Sequence, residues 1–148
     1  MSIKVAKDDV LPNKLGELLQ HALMDLDVVE ASSDYEIDMA RWHRYTSRDG
    51  KCHVCLAGSI LAYTYRVGKD FEILVDEIHP DIYRKFLAID ALREGNVWTA
   101  YRYLNPGTDM LVSEFPVSDR WVVPYEENNN LWQRQMGQLE MELMDADL

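Results

Sequence analysis

The sequence of 148 residues is short of several things. It holds two cysteines, so at most one bridge can form and a disulfide-stapled scaffold is excluded. Seven glycines and five prolines rule out a collagen-like or linker-rich chain. The longest nearly apolar run, Val54 to Tyr63, is about half of the ~20 residues that a bilayer crossing needs. Residues 1–9 are polar and charged, without the apolar core of a signal peptide, so a cytoplasmic location is expected. No Gly-rich phosphate loop, Gly-x-Ser-x-Gly elbow or His-Glu-x-x-His helix is present, which removes the common nucleotide-hydrolase, esterase and zincin readings. Bases are scarce too: 15 Lys and Arg stand against 26 Asp and Glu, for a net charge of −11.

What is present is a foldable chain. Hydrophobic residues make up 47%, and the length suits one globular domain over residues 1–148, with a short polar N-terminus (1–9) and an acidic tail (144–148). The charge is uneven. Residues 8–38 carry nine acids and one base, residues 126–148 carry six acids and one base, and the middle is neutral. Such a field repels phosphate backbones and anionic membranes, so neither direct nucleic-acid binding nor membrane binding is expected. It suits a basic protein partner, or simply solvated helix faces.

Leu15, Leu18, Leu19, Ala22, Leu23 and Leu26 recur at three- and four-residue steps, which predicts an amphipathic helix over 12–29 with Glu17, Asp25 and Asp27 off its apolar stripe. Tyr35, Ile37 and Met39 alternate with polar or small neighbours, as in a short strand. A polar loop over 46–51 follows, then an almost wholly apolar stretch over 52–65 that reads as a buried central helix. Residues 71–75 fit a strand or a helical turn. His79-Pro80-Asp81 opens a further helix that Gly95 closes as a left-handed residue, and Asn96 can cap a short successor. Residues 108–125 read as irregular, with one short strand at 121–123. Leu131 or Trp132, Met136, Leu139 and Leu143 mark a closing helix. The expected fold class is mainly α, with α+β as the alternative: four or five helices and two or three short strands.

Cys52 and Cys55 stand three apart, and a helix starting there would put both sulfurs on one side, near unsatisfied N–H groups that favour thiolate. The run from Gly50 to Ala62 resembles the active-site helix of papain-family cysteine proteases, which would make Cys55 the nucleophile. It departs from that family in having Leu56 where an aromatic is usual, no preceding Gln and no His beyond His79, so a base would have to be His43 or His79. Zinc is the second reading: His43, Cys52, Cys55 and His53 or His79 supply the right ligand types. The Cys-x-x-Cys spacing also occurs in thioredoxins, but after a strand in a βαβ unit, which is not legible here. Against these stands a packing role, because free Cys is commonly buried as a small apolar residue. On that reading no cofactor is needed, and a His43 ring nitrogen is tied to a backbone carbonyl or to Asp38. His21 reads as a surface residue.

Aromatics crowd the middle and late segments. Trp98, Tyr101 and Arg102 could serve a protein interface or line a pocket for a small anionic ligand. Asp25, Asp27 and Glu30 are the matching candidates on the acidic first helix.

The Leu-rich acidic first helix, Asp38-Met39-Ala40-Arg41-Trp42-His43 and Cys52-x-Val54-Cys55-Leu56-Ala57-Gly58 together resemble small acidic proteins encoded by tailed bacteriophages and prophages, over about residues 15–62. The resemblance implies a non-enzymatic accessory protein in the host cytoplasm that binds and inhibits a host protein, in host takeover or counter-defence. The alternatives are a sequestering protein for a small nucleotide signal, cysteine or zinc chemistry at Cys52 and Cys55, and a virion or assembly component. Homo-oligomerisation is compatible with each.

Overall fold

Apolar periodicity decides most of the architecture. The computed structural model describes residues 11–73 and 75–148; the polar stretch 1–9 lies outside them. Among the described residues there are five α-helices and one three-stranded sheet, a mainly α fold with some β. No helix among them is long and apolar enough to cross a membrane.

The described residues fall into two compact units, one built from 21–83 and the other from 11–20 and 84–148. Helix α1, Leu15–Glu30, contributes to both. Its Leu stripe is buried as the periodicity predicts, with Leu15, Leu18, Leu19, Ala22 and Leu26 shielded from solvent.

In the first unit, strands β1 (Tyr35–Ile37), β2 (Arg44–Thr46) and β3 (Lys51–Val54) form a sheet in the order β1-β3-β2. β3 pairs parallel with β1, Cys52 opposite Tyr35 and Val54 opposite Ile37, and antiparallel with β2. Asp49-Gly50 turns the β2–β3 hairpin: Gly50 takes φ +69°, and the Asp49 carboxylate accepts from the Thr46 hydroxyl and the Lys51 N–H. Helix α2, Leu56–Tyr63, follows at once and is buried from Leu56 to Ala62.

The expected helix over 52–65 is therefore corrected. Its first residues are a strand, because Lys51-Cys52-His53-Val54 alternates polar and apolar after a hairpin turn, and only 56–63 is helix. Gly58 lets α2 meet the connection between β1 and β2, since a Cβ there would overlap the Trp42 carbonyl oxygen. Residues 71–73 lack regular structure and Val75–Glu77 forms one 3-10 turn.

Helix α3, Pro80–Arg93, begins where His79-Pro80 signals it, with the His79 Nδ1 accepting from the Asp81 N–H. Its Arg84–Arg93 part belongs to the second unit. There Gly95 adopts φ +84°, and a Cβ on it would overlap the Arg120 carbonyl. Helices α4, Val97–Leu104, and α5, Asn129–Asp145, complete the unit, α5 burying Trp132, Met136, Leu139 and Leu143. The Trp132 indole N–H donates to the Arg93 carbonyl at 3.4 Å, and its ring meets Tyr125 edge-on. The strand expected at 121–123 is not formed. Val122 and Val123 are buried, and the Val123 N–H donates to the Gln135 side chain instead of to a neighbouring strand.

Candidate functional site

Burial decides the chemistry open to the two cysteines. Cys52 points inward from β3 into an apolar cluster with Val29, Val54 and Ala62, against which Tyr35 and Ile37 pack. Cys55 precedes α2 as its N-cap, and its sulfur accepts from the Gly58 N–H at 3.4 Å. Both are fully buried.

The structure does bring one histidine to a thiol. The Cys52 sulfur lies 3.4 Å from Nδ1 and 3.7 Å from Nε2 of His43. A sulfur that close to both nitrogens would collide in the ring plane with the carbon between them, so it sits over the face of the imidazole. That is packing rather than proton transfer. The His43 Nδ1 donates instead to the Phe71 carbonyl at 2.6 Å, which leaves the in-plane hydrogen bond with the backbone. Burial holds this imidazole below its ordinary pKa and pushes the Cys52 thiol up to about 12. A neutral thiol over a neutral ring, without solvent access, lacks the thiolate a nucleophile requires.

Nor are the other expected ligands assembled. His79 caps α3, and among the described residues no group of three or more His, Cys, Asp or Glu side chains is placed to hold a metal ion. His53, on the outer side of β3, lies between Asp49 at 2.9 Å and Asp38 at 3.5 Å.

Asp25 requires a correction. Expected on an exposed acidic face, it is buried to 5% exposure and accepts from the Thr64 hydroxyl at 2.5 Å, with His21 Nε2 at 3.4 Å. Burial raises its pKa, against the lowering effect of Thr64 and His21. His21, expected at the surface, is half-buried and bonds Thr64 at 2.7 Å. This Asp-Thr-His group is not a hydrolytic triad. Its hydroxyl donates its hydrogen bond to the carboxylate and not to the imidazole, which is not the hydroxyl-to-histidine, histidine-to-carboxylate order of such a triad.

Asp27 and Glu30 are exposed as expected. Beside them stand two residues that the sequence reading passed over: Met24, 63% exposed, and Val28, 46% exposed, one helical turn apart. Their signal was legible in the same periodicity, because positions 24 and 28 project opposite the Leu stripe. In the second unit, Trp98 stacks on Tyr101 with ring centres 5.8 Å apart, and both rings pack on Phe115, so these half-buried aromatics turn part of their surface inward. Arg102 remains exposed.

Comparison of the chain with protein-family models, with curated proteins and with solved structures finds no match.

Proposed function

We propose that this chain is a non-enzymatic binding protein whose acidic, partly apolar helix ridge docks onto a basic protein. The observation that carries it is the outer side of α1 in the first unit, where Met24 and Val28 are exposed with Asp27 and Glu30 beside them. Exposed apolar side chains rimmed by one sign of charge suit a partner that offers an apolar contact bordered by Lys or Arg. Self-association through the same ridge would bring like charges together, and the net charge of −11 opposes it. The resemblance to phage proteins makes a host protein the expected partner, and inhibition its expected consequence.

The test is capture from bacterial lysate with the wild-type chain and with Met24→Glu and Val28→Glu in parallel. The reading expects a stoichiometric protein on the wild type and its loss from both variants, at unchanged folding. A partner retained equally by all three proteins would refute the ridge.

A further inference from the structure

We infer that a cavity beside α4 is a binding site for a small, flat monoanion, an aromatic carboxylate in chemical class. The cavity, about 320 Å³, is lined by Thr99, Arg102, Tyr103 and Pro106. These residues fall at steps of three, four and seven, so among the described residues one side of α4 and the turn after it supply the lining, while Trp98 and Tyr101 turn to Phe115.

Three of the lining residues carry polar side chains: Thr99, Arg102 and Tyr103. None has a hydrogen-bond or ion-pair partner among the described residues. Arg41, Arg44, Arg93 and Arg120 each lie within 4 Å of a carboxylate, and among the described residues Arg102 does not. An unpaired planar guanidinium offers a fork for a carboxylate, the Tyr103 and Pro106 rings offer apolar faces to a flat body, and the volume suits a small molecule.

The charge of the ligand follows from the surroundings. Arg102 lies in the last turn of α4, where the helix presents its partial negative end, and the whole chain is strongly acidic. One guanidinium in that field balances one negative charge, so a monoanion is favoured over a dianion. The cavity shares no residue with the α1 ridge, so each proposal fails or stands by itself.

The experiment is an NMR titration of the full chain with benzoate, following the amide signals of residues 99–106, beside parallel titrations with neutral benzamide and with phenyl phosphate. Benzoate is expected to give saturable shifts confined to this segment. Affinity should fall about tenfold or more in Arg102→Gln, as losing a charge-assisted hydrogen bond implies, and hold in Arg134→Gln, which removes an exposed arginine outside the cavity. Unchanged signals elsewhere in the spectrum of Arg102→Gln confirm that it folds. The proposal is overturned if benzoate gives no saturable shift, if benzamide binds as well, if phenyl phosphate binds more tightly, or if Arg102→Gln leaves affinity unchanged.

Discussion

At the scale of single residues, two glycines and one histidine carry the clearest consequences. Gly58 has the Trp42 carbonyl where a side chain would go, and backbone there cannot swing aside like a flexible side chain. Gly58→Ala should therefore destabilise the protein by about 3 kcal/mol or more, whereas Gly107→Ala, with open space around it, should change stability by less than about 0.5 kcal/mol. Urea denaturation of the two variants checks both. His43 gives a pH dependence of known sign. Its folded pKa lies below the ordinary 6.5, so as pH falls through 6.5 the unfolded chain takes up a proton that the folded chain refuses. Stability should then decline from pH 6.5 down to the lower folded value and level off beneath it. Asp25 acts oppositely at lower pH, since its raised folded pKa makes the folded chain bind the extra proton. His43→Asn, which keeps a donor towards the Phe71 carbonyl, isolates the histidine: urea midpoints should fall less than in the wild type when pH drops from about 7.5 to about 5.5. An equal fall in both proteins would contradict the assignment.

At the scale of elements, α4 shows how a cap can be supplied from far along the chain. Asn96 stands at its N-cap position but makes no side-chain cap bond; the Trp98 N–H donates instead to the Asp119 carboxylate at 3.0 Å. Asp119→Ala should cost about 1 kcal/mol and Asn96→Ala clearly less, measured by thermal or urea unfolding. This case marks what the sequence alone revealed. Periodicity located α1, α3, α4 and α5, because a stripe of Leu, Ile or Trp on one side is a local pattern. Gly95 was legible as a left-handed residue for the same local reason. The 52–65 stretch misled because its apolar content hid the two-residue alternation of Lys51 to Val54, and the Asp49-Gly50 turn was the overlooked signal. Asp119 capping α4 and Thr64 bonding Asp25 depend on residues 21 and 39 positions apart, which no window of local pattern contains. The candidate site was legible in the same degree: Asp27 and Glu30 from charge, Met24 and Val28 from the unused side of a helix already found, the burial of Asp25 not at all.

At the scale of the whole molecule, the acids set the behaviour. A partner bound through Asp27 and Glu30 should dissociate as salt rises, because exposed charges are screened over about 8 Å at physiological ionic strength, while the contacts of Met24 and Val28 resist salt. Affinity measured across an ionic-strength series should fall steadily towards a residual apolar value. The thiols should be silent in this respect. With both sulfurs buried, alkylation of the native protein should proceed only as fast as opening exposes them, and faster in urea. The most direct single measurement is the yield of a bound partner captured from bacterial lysate by three proteins side by side: wild type, Asp27→Lys/Glu30→Lys, and Cys52→Ala. Recovery with the wild type and Cys52→Ala, and loss with the charge reversal, is the predicted result; recovery with the charge-reversed protein and loss with Cys52→Ala would contradict it.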